Sequence, residues 1–281
     1  MNYKGTRFSI IIFIYLYITV DLNCQDKTYT WKNITTENVY SRFVQDSFKI
    51  DIKLPDSYYD SSKVYSLLIV LDGDLLFPIA VGVTQYLEYG NHIPEMIILG
   101  IGYGAFEWFN GNNRNRDYTA HQTEGRPYEG GASKFLSFIK EELIPVLLSR
   151  FRIDKNNISL MGHSSGAQFV INAFINEPKL FSKFIASSPN ISQWQEYFWE
   201  SLEKNKTKLN ASQSKIFISA GEYEDNEIYL KPIKTLITKL NNSIGSNQQL
   251  IFQIIKKGEH FTMPSIALTY GLVELFAYKN N

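Results

Sequence analysis

The sequence predicts an α/β fold in which helices cover both faces of a mainly parallel central sheet. Short apolar runs alternate with helical patterns of ten or more residues, which is typical of parallel strands joined by right-handed crossovers. The run at 65–71 is almost entirely apolar, as expected of a strand that is buried on both faces. The chain has 281 residues and neither internal repeat nor linker, so we expect a single domain at 25–281 after a targeting segment.

Each element is predicted from its hydrophobic pattern. The segment at 41–54 alternates apolar and polar residues and ends at Pro55, so we expect it to pair antiparallel with a strand at 28–38. The segment at 105–131 has no periodicity, and a loop of this length indicates a functional role. The other strands are predicted at 65–71, 96–101, 158–161, 184–187, 216–221 and 249–255, and the helices at 77–89, 132–150, 194–204, 226–242 and 264–278, with one more directly after residue 166.

The first 24 residues are predicted to be a signal peptide. Lys4 and Arg7 precede an uncharged apolar run at 8–20, which is shorter than a membrane-spanning helix. Cys24, the only cysteine of the chain, lies four residues after the apolar run, so lipidation of its thiol is an alternative to simple cleavage. The sequence therefore predicts an exported protein, periplasmic or extracellular, without a stable membrane span and with a lipid anchor at Cys24 as the alternative.

The charge balance argues against a nucleic-acid partner. Lys and Arg total 28, Asp and Glu total 28, and the formal net charge at pH 7 is zero. Such a balance provides no electrostatic attraction to nucleic acid or to an anionic membrane surface. Asp72 and Asp74 flank a glycine, but no third cluster of oxygen ligands accompanies them, so we expect no metal and no organic cofactor.

The most informative stretch is the Gly-x-Ser-x-Gly sequence at 162–166. A short apolar strand enters it and an apolar-periodic helix leaves it, which is the setting of a nucleophile elbow. Ser164 is then expected on a strained turn that presents its hydroxyl, while Gly162 and Gly166 allow strand and helix to approach closely. The amide of Ser165 would face a tetrahedral oxyanion. The alternative is an ordinary turn in which Ser164 only caps the helix.

His260 is the candidate base for this serine. It is the only one of the four histidines that both follows the elbow and lies just beyond the last predicted strand. His163 precedes Ser164 on a tight turn and is expected to pack, and His92 and His121 are expected on the surface or in loops. An imidazole at position 260 would take the serine proton on attack and return it to the leaving group.

Three carboxylates follow the strand at 216–221 and are candidates for the acid that orients His260. Glu224 is the first choice, with Asp225 and Glu222 as alternatives. The resulting order of serine, acid and histidine along the chain is that of the α/β-hydrolase fold. A second oxyanion donor is expected after the strand at 65–71, from the backbone amide of Asp74 or Leu75.

Several stretches resemble the putative esterase family of α/β hydrolases, which includes esterase D, feruloyl esterases and the siderophore esterases that open catecholate trilactones. They are Phe48-Lys49-Ile50-Asp51-Ile52-Lys53-Leu54-Pro55, Leu71-Asp72-Gly73-Asp74, Arg116-Asp117-Tyr118-Thr119, Gly162-His163-Ser164-Ser165-Gly166 and Ser188-Pro189. The resemblance implies Ser164 as nucleophile and His260 as base. It also implies that Arg114 or Arg116 faces the substrate, where a guanidinium would hold a carboxylate or an anionic catechol; an ion pair with Asp117 is the alternative.

We therefore predict an exported serine esterase whose partner is a small-molecule ester. Acyl transfer to an alcohol by the same machinery, or an inactive hydrolase fold used for binding, are the alternatives. Aromatic residues in and near the long loop are candidate walls for a phenolic or acyl group, with ordinary packing as the other reading. They are Tyr103, Phe106, Trp108, Phe109 and Tyr118.

Overall fold

Eight strands form the central sheet. The computed structural model describes residues 31–106, 111–122, 125–126, 128–245 and 249–278. The strands are β1 (Ile34–Ser41), β2 (Asp46–Lys53), β3 (Tyr65–Leu71), β4 (Met96–Gly102), β5 (Ile153–His163), β6 (Lys183–Ser187), β7 (Lys215–Gly221) and β8 (Gln249–Ile255). Every residue of β3 and of β4 is buried, as expected of apolar strands in the middle of a covered sheet.

The sheet is parallel except at one edge. Its strand order is β1-β2-β4-β3-β5-β6-β7-β8. β2 runs antiparallel to both β1 and β4, whereas all the other neighbouring strands are parallel. The predicted fold class, a mainly parallel sheet with antiparallel N-terminal strands, is confirmed.

Helices cover both faces of the sheet. They are α1 (Gly73–Tyr89), α2 (Arg114–Tyr118), α3 (Ala132–Ser137), α4 (Ile144–Arg150), α5 (Ser165–Asn176), α6 (Gln195–Asn210), α7 (Lys231–Asn241) and α8 (Met263–Phe276). On β6, the ring of Phe184 packs edge-on against Phe174 of α5 with 5.1 Å between centroids. A Cβ atom at Gly271 of α8 would lie 2.9 Å from the next strand residue, Ile185. Because successive strand residues point to opposite faces, α5 and α8 lie on opposite sides of the sheet.

The first two strands begin later than predicted. The expected strand at 41–54 starts only at Asp46, because residues 42–45 form a turn. In this turn the amide of Gln45 donates to the carbonyl of Ser41 at 2.8 Å, and Gln45 adopts a φ of 61°. The turn therefore separates β1 from β2 and moves the first strand to Ile34–Ser41.

Two helical regions also differ in detail from the prediction. The expected helix at 132–150 is helical throughout, but its middle, Phe138–Leu143, has π-helical hydrogen bonding between α3 and α4. The expected loop at 105–131 contains the short helix α2. Neither feature has a periodic sequence signal, because α2 has five residues and the π-helical stretch has six, which is too short to establish a period of its own.

The carboxyl ends of the parallel strands meet at one edge of the sheet, where α/β proteins place their ligands. Asp72 follows β3, Ser164 follows β5, Glu224 follows β7 and His260 follows β8. The strand order thus brings together residues that are far apart in sequence.

Residues 32–281 form a compact unit. The predicted signal peptide at 1–24, Cys24 and the expected domain start at residue 25 lie outside the described residues. Within the part of the chain that the structure describes, no helix combines the length and the apolar character needed to cross a membrane.

Candidate active site

Ser164 lies on the sharp turn between β5 and α5. Its backbone has φ 57° and ψ −120°, which is a costly conformation for a residue with a Cβ atom. The Ser164 amide donates to the carbonyl of Ser187 at 2.9 Å, and the Ser164 carbonyl accepts from the amide of Asn190 at 3.2 Å. Strain that is maintained by its surroundings in this way is typical of a nucleophile elbow.

Two glycines allow the turn to form. A Cβ atom at Gly162 would lie 2.5 Å from the backbone of Gly166, so β5 and α5 approach too closely for any side chain at position 162. A Cβ atom at Gly166 would lie 3.0 Å from Oδ2 of Asp72. The Ser164 turn therefore sits directly beside the Asp72 turn.

His260 is paired with Glu224 at the carboxyl ends of β7 and β8. Nδ1 of His260 lies 2.6 Å from Oε1 of Glu224, and Oε2 of the same carboxylate accepts the Gly221 amide at 2.7 Å. The side chain of Glu224 is completely buried, whereas that of His260 is 21% exposed. An ionised carboxylate only accepts hydrogen bonds, so Nδ1 carries the proton and Nε2 is able to accept another. This arrangement suits a histidine that acts as a general base.

The other two candidate carboxylates have different partners. Asp225 accepts the amides of Glu227 and Ile228, both at 2.8 Å, and thereby caps the helical turn that follows. Glu222 accepts the amide of Lys257 at 2.8 Å. Of the three predicted acids, Glu224 is thus the one that the structure brings to His260. Among the described residues, no three His, Cys, Asp or Glu side chains are grouped as metal ligands.

The first amides of α5 and α1 are candidate oxyanion donors. Within the described part of the chain, the amides of Ser165 and Asp74 have no acceptor, as expected at helix N-termini. The amide of Leu75, the other candidate, donates to the carbonyl of Asp72 at 2.9 Å. The carboxylate of Asp74 accepts the amide of Tyr103 at 2.6 Å and so braces the end of β4. The predicted donors Ser165 and Asp74 therefore both keep an available N–H.

Arg114 binds Asp72 in a buried ion pair. Its Nε and Nη2 lie 2.7 and 2.9 Å from the two carboxylate oxygens of Asp72, and both residues are 8% exposed. Burial lowers the pKa of Arg114, but the charge and hydrogen bonds of Asp72 outweigh it and raise that pKa above its ordinary value. Arg114 therefore holds the Asp72 turn in place, and its predicted contact with a substrate stays a prediction.

Arg116 and Tyr118 also have structural partners. Nε and Nη2 of Arg116 bind the two oxygens of Asp117 at 2.7 and 2.9 Å, and Nη1 binds Asp46 at 2.9 Å. Arg116 thus forms the ion pair with Asp117 that was the alternative to substrate binding, and it forms a second ion pair with Asp46. Tyr118 is 1% exposed, and its hydroxyl accepts the Asp72 amide at 3.1 Å. The ring of Tyr118 thus lies in the core, and its contact with a substrate stays a prediction.

The other aromatic residues expected to line the substrate site do not share one environment. The Tyr103 hydroxyl donates to Asp117 at 3.0 Å, and Phe106 is 64% exposed. Trp108 and Phe109 lie outside the described residues. Of the remaining histidines, His121 packs its ring 4.6 Å from that of Trp194.

His163 packs against the candidate base. Its ring centroid lies 4.5 Å from that of His260, and its Nδ1 lies 3.0 Å from Oγ of Ser187. Burial, together with the charge on His260, lowers the pKa of His163 to about 3. The His163 ring is therefore uncharged at physiological pH and packs against His260. The packing role expected for His163 is thus a contact with the candidate base, across 97 residues of sequence.

Tyr229 is a residue of this site that the sequence analysis missed. It lies on a π-helical turn, Asn226–Leu230, directly before α7. Its hydroxyl lies 3.5 Å from Nε2 of His260, and the two ring centroids are 4.7 Å apart. The signal was absent because the chain has 18 tyrosines and the π turn that places this one has no sequence pattern.

A mainly parallel sheet with a serine elbow and a histidine–carboxylate pair at its carboxyl edge defines the architecture of an α/β hydrolase. The comparison with family models agrees. The chain belongs to the family described as "Putative esterase", whose model matches residues 41–243.

Two curated relatives carry names of siderophore esterases. The chain is 32% identical over 183 residues to ferri-bacillibactin esterase BesA of Bacillus subtilis, covering 58% of this chain and 61% of the relative. It is 30% identical over 173 residues to the siderophore triacetylfusarinine C esterase of Aspergillus fumigatus, covering 57% of each chain. The chain thus spans about three fifths of the length of these relatives.

The fold is also similar to that of a solved structure. An IroE-like serine hydrolase from Shewanella oneidensis superposes with a TM-score of 0.77 at 25% identity. The match covers 86% of this chain and 80% of the other. It extends beyond the segment that the family model matches.

Proposed function

We propose that this protein is a serine carboxylester hydrolase that acts through an acyl-serine intermediate. The observation that carries the proposal is the placement of Ser164 on a strained elbow, at the same sheet edge as the hydrogen-bonded pair of His260 and Glu224. A protein that only binds a ligand does not need a buried carboxylate, such as Glu224, to fix the tautomer of a partly exposed histidine such as His260. The names of the relatives, all esterases, are consistent with this activity.

In the proposed first half-reaction, Oγ of Ser164 attacks the ester carbonyl while Nε2 of His260 takes the hydroxyl proton. Glu224 stabilises the imidazolium that forms. The amides of Ser165 and Asp74 donate to the oxyanion, and each such donor contributes about 3 kcal/mol to the stability of the transition state. The bond to the alcohol oxygen then breaks, and His260 delivers its proton to that oxygen.

In the second half-reaction, a water molecule replaces the alcohol. His260 takes a proton from the water, the resulting hydroxide attacks the acyl carbon, and the bond to Oγ of Ser164 breaks. The same proton returns to the serine, so the free enzyme is regenerated with one carboxylic acid released. Acyl transfer, the alternative, differs only in that an alcohol takes the place of this water.

For the substrate, we propose an ester within a siderophore, as the names of the two curated relatives suggest. Feruloyl-type aryl esters are the second class to test, because the predicted resemblance includes feruloyl esterases. In both classes the scissile bond is a carboxylic ester, which the proposed machinery attacks without a cofactor.

The test is hydrolysis of p-nitrophenyl acetate and butyrate by the purified chain and by Ser164→Ala. We expect the substitution to lower kcat by about a millionfold, as for other triad serines. Equal activity of the two proteins would contradict the elbow assignment. Turnover of no ester by either protein would favour the binding-protein alternative, and ester products formed only with added alcohols would favour the transferase.

We also propose that the protein is exported after removal of residues 1–24. The support is the basic start and apolar run of that segment. The intact mass of the protein recovered from its native host distinguishes the forms: a free N-terminus near residue 25 indicates cleavage, and a mass increase on Cys24 indicates a lipid anchor. The full-length mass would contradict both.

A further inference from the structure

The hydroxyl of Tyr229 lies beside the reactive nitrogen of the proposed base. It is 3.5 Å from Nε2 of His260, and the two ring centroids are 4.7 Å apart. Within the described residues, no direct hydrogen bond joins Ser164 to Nε2 of His260. The tyrosine hydroxyl therefore occupies the place next to Nε2 that a reacting group would otherwise take.

This position has a defined meaning in acyl transfer. The leaving-group oxygen is bonded to the carbon that Oγ of Ser164 attacks, and it must accept a proton from Nε2 of His260. The Tyr229 hydroxyl, 3.5 Å from Nε2, therefore stands in the place that the alcohol oxygen of the ester needs. The attacking water of the second half-reaction needs the same place.

The turn that carries Tyr229 is built to hold this ring at the surface of the site. The carboxylate of Asp225 caps the turn, and the amides of Tyr229 and Leu230 both donate to the Asp225 carbonyl, at 3.0 and 3.2 Å. The ring of Tyr229 is half-buried, whereas Ile228 beside it is 45% exposed. The ring of Tyr229 packs against the hydrophobic core, while its hydroxyl end reaches Nε2 of His260.

We propose that Tyr229 occupies the leaving-group position of the resting site and is displaced by the alcohol portion of the ester. Tyr229 is then a specificity-determining residue that selects among leaving groups. This inference rests on the proposed serine mechanism, because it assigns Ser164 and His260 their roles.

Two substitutions separate the hydroxyl from the ring. Tyr229→Phe removes the hydroxyl that competes with the substrate for Nε2 of His260, so we expect KM for p-nitrophenyl acetate to fall about three- to tenfold with kcat nearly unchanged. Tyr229→Ala also removes the ring, and we expect it to favour large leaving groups over small ones. Tyr223→Ala is the matched control, since Tyr223 lies on the same loop and is 61% exposed.

The sharpest test uses two reagents that transfer the same diethylphosphoryl group to a serine, diethyl fluorophosphate and diethyl p-nitrophenyl phosphate. Labelling is followed by intact mass, which requires no ester turnover. We expect Tyr229→Ala to raise the rate with the nitrophenyl reagent, relative to the fluoride, by about tenfold over the wild type. Tyr223→Ala should leave this ratio unchanged.

The outcomes distinguish this inference from the proposed function. The proposed displacement of Tyr229 would be overturned if a folded Tyr229→Ala protein showed the wild-type ratio of labelling rates for the two reagents. It would also be overturned by a large loss of kcat in Tyr229→Phe at constant KM. The latter result would assign the hydroxyl to the transition state instead. Labelling of Ser164→Ala at the wild-type rate, or no labelling of the wild type, would contradict the serine mechanism itself.

Discussion

Two strand-to-helix turns lie side by side at the carboxyl edge of the sheet and differ in what their side chains do. Asp72 and Ser164 both have a positive φ, 52° and 57°, and each directly precedes a helix. Their ψ angles are 45° and −120°. The side chain of Asp72 is buried in a bidentate pair with Arg114, whereas Ser164 is half-buried beside Tyr229.

The difference teaches that the same kind of strained strand-to-helix turn serves a structural purpose at Asp72 and a chemical one at Ser164. At Asp72, the strain is offset by an ion pair that fixes the first turn of α1 and hence the amide of Asp74. At Ser164, backbone hydrogen bonds offset the strain, so the side chain is available for chemistry. We expect the Asp72 turn to determine stability and the Ser164 turn to determine activity.

The largest effect should come from the carboxylate that serves the Ser164 turn. Glu224→Gln is expected to lower kcat about 10⁴-fold, because the neutral amide does not stabilise the imidazolium of His260 or fix its tautomer. Asp225→Asn is the matched control and should stay within a few-fold of the wild type, since that carboxylate only caps the π turn. Steady-state kinetics with p-nitrophenyl esters measure both, and equal losses would break the assignment of Glu224.

Removing the corresponding charge at the other turn should instead unfold the protein. Asp72→Asn removes the carboxylate that binds both Nε and Nη2 of the buried Arg114, so we expect the free energy of unfolding to fall by about 3–5 kcal/mol. Urea unfolding followed by circular dichroism measures this. Glu227→Gln, which removes an exposed pair with Lys231, is the control and should have no measurable effect. Equal midpoints for Asp72→Asn and the wild type would show that the pair does not hold the turn.

His163, the residue before Ser164, should make the stability of the protein sensitive to acid. The pKa of His163 falls from 6.5 to about 3 in the folded protein because the ring is buried. Between these two values the unfolded chain binds a proton that the folded chain does not. The resulting stability is complete above pH 6.5 and is lost as the pH falls, by about 1.4 kcal/mol per pH unit. We expect His163→Gln to remove this slope between pH 4.5 and 6, and an unchanged slope in urea titrations would contradict it.

The smallest effect concerns the backbone strain itself. Ser164→Gly removes the Cβ atom from a residue at φ 57°, and we expect it to stabilise the inactive protein by about 1 kcal/mol. Asp72→Gly relieves a similar φ but also breaks the pair with Arg114, so it should be destabilising overall. Thermal unfolding gives the change in midpoint temperature of each variant relative to the wild type. Changes of the same sign in both variants would contradict the proposed difference between the two turns.

The fold was predictable because its signals are local. The apolar runs of β3 and β4, the elbow at 162–166 and the order of strands and helices each follow from patterns a few residues long. The boundary between β1 and β2 was not predictable from the sequence, because Gln45 adopts a positive φ that no pattern at 41–54 indicates.

The site was predictable to the extent that motif and chain order define it. The sequence led to Ser164, His260 and the choice of three carboxylates after β7, and the structure brings Glu224 to His260. Which of the three makes that contact depends on how the loop folds back, which no spacing rule states. The pairing of Arg114 with Asp72, 42 residues apart, is likewise a tertiary contact without a local signal.

The position of His260 after the edge strand has a consequence for how the protein loses function. β8 is only partly buried and has a single neighbour in the sheet, β7, whereas β5 lies in the interior between β3 and β6. Edge elements with little buried surface open by local unfolding at a lower free energy than the core. Under mild denaturant, fraying of β8 would carry His260 away while the elbow stays intact. Catalytic competence would then disappear before the global transition, and it would return without refolding of the central sheet.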